Sequence, residues 1–177
     1  MAEPLLLVVM GVSASGKSTL ARRLAERLGL PFIEGDTCHP PENIAWMEAG
    51  HPLDDEMRKP FLKAVGEALR TGRKDGTGAC VAASVLKRAY RDQVRQAAGS
   101  HVTFVHLAPD ADTLRERISG RTGHFMPPSL LDSQLATLEP LEPDEGGLTL
   151  SDLAPAEAHV ETTLDWLRAS GSEIPQD

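Results

Sequence analysis

Residues 5–28 read LLLVVMGVSASGKSTLARRLAERL, and this stretch decides the fold class. It joins an apolar run, a glycine-rich turn and a helical pattern, in that order. The turn at residues 11–18 fits G-x-x-x-x-G-K-[ST], the pattern of a phosphate-binding loop. Such a loop needs glycines because its backbone N–H groups turn inward around phosphate oxygens, and the N-terminus of the next helix adds a favourable dipole. The sequence therefore predicts that the chain binds a nucleoside triphosphate.

The residues expected to contact ATP include the whole loop, the start of the helix and two arginines farther along the chain. Lys17 is expected to bridge the β- and γ-phosphates, and the Ser18 hydroxyl to bind Mg²⁺. The full predicted set is Gly11, Val12, Ser13, Ala14, Ser15, Gly16, Lys17, Ser18, Thr19, Arg117 and Arg121.

Apolar runs alternate with helical patterns along the rest of the chain, which is typical of a parallel sheet covered on both faces. We therefore expect an α/β fold with a parallel sheet of about five strands, in a single domain over residues 1–177. The predicted strands are residues 5–10, 31–35, 79–84, 102–107 and 148–150. A helical insertion at about 40–72 that would hold the substrate, and a frayed tail at about 171–177, complete this prediction.

The charge balance excludes several classes of partner. The chain has 18 lysines and arginines against 26 aspartates and glutamates, a net charge of −8. Nucleic acid and anionic membranes repel so acidic a chain, so we expect neither as a partner. Cys38 and Cys80 have no metal-ligand spacing, and the first residues lack a basic region and a cleavage site. These features predict a cytoplasmic protein with free thiols.

Two absences favour a kinase of a small molecule or a nucleotide over a motor or a switch GTPase. The third predicted strand ends in Ser84 instead of an aspartate, and no N-K-x-D motif is present. Asp36 ends the second predicted strand, at the sheet edge where ligands bind in open parallel sheets. Its carboxylate is predicted to orient the acceptor hydroxyl and accept its proton. The alternatives are that Asp36 caps the next helix or binds Mg²⁺ through water.

Several ordered motifs resemble the gluconokinase (gluconate kinase) family. They are G-D-x-x-H-P at 35–40, N-I-x-x-M-x-x-G-x-P-L-x-D at 43–55, R-x-P-x-L at 58–62, S-x-L-K-R-x-Y-R-D at 84–92, G-H-F at 123–125 and S-Q-x-x-x-L-E at 133–139. The resemblance implies MgATP-dependent phosphorylation of D-gluconate to 6-phosphogluconate, a step of sugar-acid catabolism. It also implies a fold similar to that of nucleoside monophosphate kinases, and a homodimer. Ala83, Val85, Phe61 and Trp46 depart from the family pattern, mostly in volume, which bears on substrate preference more than on reaction type.

Cations are needed in a cleft that holds a sugar acid beside ATP. Arg58, Lys87 and Arg91 are the candidates for the sugar acid, since an arginine can grip a carboxylate through two hydrogen bonds. For Arg58 the alternative is a surface ion pair with Asp54 or Asp55.

Two histidines and two arginines complete the candidate site. His39 and His124 are candidates for a polyol hydroxyl or, for His124, the nucleotide; His39 could instead fix the Pro40-Pro41 turn. The segment at about 119–130 resembles the lid of monophosphate kinases. Arg121, with Arg117 four residues before it, is predicted to close over the phosphates and take part in catalysis, the alternative being a solvated arginine face.

Rival functions remain at this point. A shikimate-type kinase would share the loop and Asp36, but it usually has a Gly-Gly run where this chain has Ala82-Ala83-Ser84. A nucleoside monophosphate kinase would prefer nucleotide acceptors. A non-catalytic ATP-binding regulator would not need an acceptor-side carboxylate, so Lys17, Ser18 and Asp36 together count against it.

Overall fold

The computed structural model describes residues 2–120 and 129–175. Within them, five strands form one sheet in the order β2-β3-β1-β4-β5, with every neighbouring pair parallel. The prediction of a parallel five-stranded sheet is confirmed. The strands are β1 Leu6–Met10, β2 Phe32–Glu34, β3 Ala79–Ala82, β4 Thr103–Leu107 and β5 Leu148–Leu150. Strand β3 ends two residues before the predicted boundary, so Ser84 lies beyond it, in the loop at the sheet edge.

Helices connect the strands and cover both faces of the sheet. They are α1 Lys17–Leu28, α2 Pro41–Glu48, α3 Asp55–Asp75, α4 Arg88–Ala98, α5 Ala111–Ser119, α6 Ser129–Thr137 and α7 Ala156–Ala169. Short 3₁₀ helices span Gly35–Cys38 and Pro143–Glu145. In the part of the chain described, no helix has the length and apolar character required to cross a membrane.

Strand β1 is buried along its whole length because it lies at the centre of the sheet. Its side chains alternate between two apolar layers, as the pleat of a strand requires. Leu6, Val8 and Met10 pack in a layer with α3 and α4, while Leu7 and Val9 pack in a layer with α1 and α7. Ile174, within the tail predicted to fray, packs against the second of these layers.

The region predicted as a helical insertion contains α2 and most of α3. The Asp54 carboxylate accepts a hydrogen bond of 2.8 Å from the Met57 backbone N–H and so begins α3 with a side-chain cap. Helix α2 and the start of α3 lie near the carboxyl ends of β2 and β3, because the 3₁₀ helix after β2 leads directly into α2. The fold therefore brings the phosphate-loop edge of the sheet and this helical region to the same side of the molecule.

Candidate active site

The phosphate loop leaves the end of β1 and curls back on itself before α1. A Cβ atom on Gly11 would lie 2.5 Å from the Ser15 hydroxyl oxygen and 2.8 Å from the Leu107 carbonyl oxygen, so only glycine fits there. Ala14 has φ 66°, a left-handed conformation that is costly for a residue with a side chain. The Ser15 N–H donates to the Val12 carbonyl over 3.2 Å, and Lys17 Nζ lies 3.4 Å from the same oxygen. The loop therefore holds the curled shape that cradles phosphate oxygens.

Two side chains from distant helices brace this loop. Arg117 of α5 donates from Nη1 to the Ala14 and Ser15 carbonyl oxygens, each over 3.2 Å. Gln134 of α6 is buried, and its Oε1 accepts a hydrogen bond of 2.6 Å from the Ser13 backbone N–H. Arg117 thus lies against the loop, where the sequence predicts an ATP contact.

A cleft opens beside the loop at the carboxyl edge of the sheet, and we call it the acceptor cleft. Its polar lining residues are Asp36, His39, Arg58, Ser84, Ser133 and Gln134. The remaining lining is apolar and comes from α2, α3, α6 and the segment between α2 and α3. Of the residues predicted to bind the acceptor, the structure brings Asp36, His39 and Arg58 together here. Because Gln134 also contacts the phosphate loop, the acceptor cleft and the loop share a wall.

Asp36 lies in the 3₁₀ turn directly after β2. A Cβ atom on Gly35 would lie 2.2 Å from the Ala82 carbonyl oxygen, so the end of β2 approaches the end of β3 as closely as a backbone can. The Thr37 hydroxyl donates to the Glu34 carbonyl over 2.7 Å and helps hold the turn. The close packing under Gly35 therefore fixes where the next residue, Asp36, enters the cleft.

His39 lies flat on Phe61, with ring centroids 3.9 Å apart and an angle of 9° between the planes. Its Nδ1 is buried and has no hydrogen-bond partner among the residues the structure describes. Burial lowers the pKa of His39 to about 4; the nearby Asp36 charge opposes this and the Arg58 charge adds to it. The imidazole is therefore neutral near pH 7. A neutral ring can donate one hydrogen bond to a hydroxyl and accept another from a hydroxyl.

Arg58 is a half-buried cation with few partners among the described residues. Its Nη2 donates to the Leu53 carbonyl over 3.2 Å, while its Nε is buried with no partner in the described ranges. Burial lowers the pKa of Arg58, and the negative charges of Asp55 and Asp54 oppose that effect. No ion pair within 4 Å joins Arg58 to either of these aspartates, all three residues being described, so the surface ion pair considered above is not formed. Arg58 keeps N–H donors that an anion can use.

Lys87 lies in an adjoining cleft that shares Leu53 and Arg58 with the acceptor cleft. Its Nζ is 3.5 Å from Asp55 Oδ1 and 5.5 Å from the centroid of the Tyr90 ring. Lys87 therefore shares the adjoining cleft with Arg58, whereas Asp36 lines the acceptor cleft and not this one.

The prediction that Arg91 binds the sugar acid is wrong. Its side chain is completely buried and forms an ion pair with Glu145, from Nε over 2.7 Å and from Nη2 over 2.9 Å. Its remaining contacts are backbone carbonyl oxygens, those of Val85, Leu86, Glu139 and Pro140. Arg91 thus ties the loop after β3 to the segment before β5, and its guanidinium does not reach the cleft.

A second open cleft lies on the other side of the phosphate loop. Gly16, Thr19 and Arg117 line it together with Pro109 and with residues of the segment between β5 and α7. Its far wall includes His159, hydrogen-bonded to Asp152 over 2.5 Å. This position suits the base of a nucleotide whose phosphates lie in the loop, and we call it the base cleft.

The residues at the loop fit Mg²⁺ bound mainly through phosphate oxygens. Ser18 lies in the first turn of α1, immediately after Lys17, where its hydroxyl can supply one oxygen ligand. In the described ranges, no group of three or more His, Cys, Asp or Glu residues could hold a metal ion. Mg²⁺ commonly takes only one or two ligands from the protein when a nucleotide supplies the others.

Comparisons with known proteins place the chain in a family. A family model described as an AAA domain matches residues 6–141. A gluconokinase of Gluconobacter oxydans (strain 621H) is 46% identical over 165 residues, which cover 93% of this chain and 90% of that one. The chain belongs to the gluconokinase family. A second member, the thermoresistant gluconokinase of Escherichia coli (strain K12), is 35% identical over 162 residues, or 91% of this chain and 92% of that one.

Solved structures support the same family and fold. A gluconokinase from Sinorhizobium meliloti 1021 superposes with a TM-score of 0.83 at 43% identity, covering 96% of this chain and 95% of that one. An unliganded sugar kinase from Janibacter sp. HTCC2649 gives a TM-score of 0.88 at 48% identity, covering 93% and 95%. The APS kinase CysC of Mycobacterium tuberculosis, at 19% identity and a TM-score of 0.70, shares the fold alone; the match covers 95% of this chain and 99% of that one.

The sequence analysis did not predict some residues of this gluconokinase-family site, and other predicted residues lie outside the described ranges. Gln134 and Ser133 belong to the S-Q-x-x-x-L-E motif, which is the only sequence signal that could have singled them out. Tyr90, in the S-x-L-K-R-x-Y-R-D motif, was also missed. Arg121, His124 and most of the predicted lid lie outside the described residues, so their roles stay predictions.

Proposed function

We propose that the protein is an ATP-dependent gluconokinase, which transfers the γ-phosphoryl group of ATP to the 6-hydroxyl of D-gluconate. The products are ADP and 6-phospho-D-gluconate. The observation that carries this proposal is the acceptor cleft, which has a carboxylate, Asp36, and a half-buried guanidinium, Arg58, whose Nε–H has no partner among the described residues. The cleft shares Gln134 with the phosphate loop, so an acceptor bound there lies beside the γ-phosphate. A linear polyol with a carboxylate at one end matches this chemistry.

On the nucleotide side, the loop N–H groups and Lys17 bind the phosphates, and the base occupies the base cleft. Mg²⁺, when bound at Ser18, neutralises phosphate charge. Arg117 braces the loop from outside through the Ala14 and Ser15 carbonyl oxygens. We include Arg121 as the residue that closes over the phosphates and stabilises charge during transfer.

On the acceptor side, Asp36 accepts the proton of the 6-hydroxyl as its oxygen attacks the γ-phosphorus. The bond from that phosphorus to the β–γ bridging oxygen breaks, and ADP leaves with the electron pair. Arg58 binds the carboxylate of gluconate through its unused N–H donors, and Lys87 adds positive charge beside it. His39, neutral at the working pH, and His124 hydrogen-bond to polyol hydroxyls, a role for which Ser84 and Ser133 are also placed.

The proposal also includes Mg²⁺ dependence, a homodimer and a cytoplasmic location, with no nucleic acid or membrane as partner. Supporting features are the net charge of −8 and the two cysteines, both free thiols. Light scattering on the purified protein measures the assembly, and activity titrated with EDTA and Mg²⁺ measures the metal requirement.

The test is ADP release with MgATP and a panel of gluconate, its isomers, shikimate and nucleoside monophosphates. Asp36→Asn should lower kcat on gluconate by roughly 10²- to 10⁴-fold, since the amide cannot accept the proton, while ATP still binds. Asp75→Asn, at the exposed end of α3, is the matched control and should behave as the unaltered protein. Turnover of another acceptor in place of gluconate would overturn the substrate assignment. Tight ATP binding without turnover of any acceptor would favour the regulator.

A further inference from the structure

Tyr90 is the only tyrosine of the chain, and two candidate substrate-binding cations lie over its ring. The ring is buried in the first turn of α4. The guanidinium carbon of Arg58 is 5.2 Å from the ring centroid, and Lys87 Nζ is 5.5 Å from it. Both distances are within the roughly 6 Å over which an aromatic face attracts a cation. Since Arg58 comes from α3 and Lys87 precedes α4, the ring fixes two cations of different elements relative to one another.

The hydroxyl of Tyr90 holds the carboxylate of Asp55. It donates to Asp55 Oδ1 over 2.5 Å, and Lys87 Nζ lies 3.5 Å from the same oxygen. Burial raises the pKa of Tyr90 to about 12, and the hydrogen bond to Asp55 adds to this. The same hydrogen bond is the main cause of a lowered pKa of Asp55. Tyr90 is therefore a neutral donor and Asp55 an anion at any pH near 7.

The contacts of this cluster leave Arg58 available to one more anion. Asp54, Asp55 and Glu56 line the same cleft as Arg58 and Lys87, and Asp55 pairs with Lys87 over 3.5 Å, but among the described residues no carboxylate lies within 4 Å of the Arg58 guanidinium. Among the described residues, the buried Nε–H of Arg58 has no partner, and the guanidinium donates one hydrogen bond, to the Leu53 carbonyl. Without the ring of Tyr90, that carbonyl alone would orient the guanidinium. A substrate carboxylate can accept the hydrogen bonds that Arg58 does not use, and it needs a guanidinium already turned toward it.

We propose that Tyr90 is a positioning residue that holds Arg58 and Lys87 for the carboxylate of the acceptor and so sets the preference for sugar acids over neutral polyols. Its ring does this, and its hydroxyl contributes less. The inference rests on the proposed function, because it takes a sugar acid as the acceptor.

The experiment compares Tyr90→Leu, which removes the ring, with Tyr90→Phe, which keeps it. The KM values for gluconate and ATP are measured, and so is kcat/KM for D-glucitol, which has CH₂OH in place of the carboxylate. We expect Tyr90→Leu to raise the gluconate KM about 10- to 100-fold through two weakened cation contacts. For Tyr90→Leu, the KM for ATP and the kcat/KM for D-glucitol should stay within about threefold of those of the unaltered protein. Tyr90→Phe should behave almost as the unaltered protein.

Phe32→Leu is the matched control, since Arg22 lies over the Phe32 ring at 4.8 Å, outside the acceptor cleft. It should leave the gluconate KM unchanged. Equal changes in the KM of gluconate and ATP for Tyr90→Leu, or a Tyr90→Phe variant as impaired as Tyr90→Leu, would overturn the proposal. If Tyr90→Leu does not fold, Tyr90→Met fills more of the ring volume without an aromatic face and takes its place. Absence of gluconate turnover in the unaltered protein would instead refute the proposed function.

Discussion

Replacing Arg91 by methionine should destabilise the protein far more than the same change at Arg88. Both arginines lie in the first turn of α4, and both meet carboxylates of residues 142–145. The side chains of Arg91 and Glu145 are both 0% exposed, whereas Arg88 is 33% exposed and its partner Asp144 is 64% exposed. The two substitutions therefore remove similar ion pairs from different environments.

The expected magnitude follows from burial. Burial alone raises the pKa of Glu145, but the hydrogen bonds from Arg91 and from the Glu142 N–H outweigh it and lower the pKa to about 2. Arg91→Met leaves that carboxylate buried, and among the described residues Arg95 Nη2, at 3.2 Å, is its one remaining charged partner. Breaking a buried pair in this way costs about 3–5 kcal/mol. For a chain of this size the melting temperature should then fall by about 6–20 °C.

Urea unfolding of the two variants, followed by circular dichroism, measures this difference. Arg88→Met should change the free energy of unfolding little, since exposed ion pairs contribute little. Arg91→Met/Glu145→Met should recover much of the loss, because two apolar side chains replace a buried pair at small net cost. An Arg91→Met protein as stable as Arg88→Met, with a raised gluconate KM, would refute the structural role and restore Arg91 as a substrate-binding residue.

Three further predictions concern other residues near the site. Burial lowers the pKa of His106 to about 4, and the Arg91 charge adds to this effect. Below about pH 6.5 the unfolded chain therefore binds a proton that the folded chain does not, so the free energy of unfolding falls as the pH drops. Between about pH 7.5 and pH 5, the free energy of unfolding of His106→Met should therefore fall by about 2 kcal/mol less than that of the unaltered protein, as measured by urea unfolding. An equal fall in the two proteins would contradict this. Gly35→Ala should lower kcat at least about tenfold, because the new Cβ would displace the turn that carries Asp36. Its ATP affinity, measured by calorimetric titration, should stay unchanged. A normal kcat would show that the backbone adapts to the new side chain. Gln134→Met leaves the Ser13 N–H unpaired and should raise the KM for ATP about tenfold in steady-state kinetics. A change in the KM for gluconate alone would argue against the contact between Gln134 and the loop.

The features that follow from local sequence were predictable. Strand β1 and helix α1 were predicted from an apolar run and a helical pattern on either side of the glycine-rich turn. The grouping of Asp36 with the loop followed from parallel topology, since the carboxyl ends of parallel strands meet at one edge. These inferences need only near neighbours along the chain or one rule of sheet geometry.

The features that were missed depend on contacts between distant parts of the chain. Arg91 lies four residues after Lys87, and nothing in the local sequence distinguishes a buried arginine from one in a cleft. Its partner Glu145 is 54 residues away along the chain. The Gln134 contact with Ser13 spans 121 residues. A family motif can mark such residues, but their partners are seen only when the chain is folded.

The central place of β1 in the sheet has a consequence for synthesis on the ribosome. Its neighbours are β3 and β4, so β1 is completed long before either can pair with it. At about 5–20 residues per second, the roughly one hundred residues up to the end of β4 take on the order of 5–20 s to make. Until β3 and β4 have been made, the uncharged segment LLVVM lacks one or both of its neighbours in the sheet, and such segments promote aggregation of nascent chains. The yield of folded protein should therefore depend on what shields residues 6–10 until translation has passed Leu107.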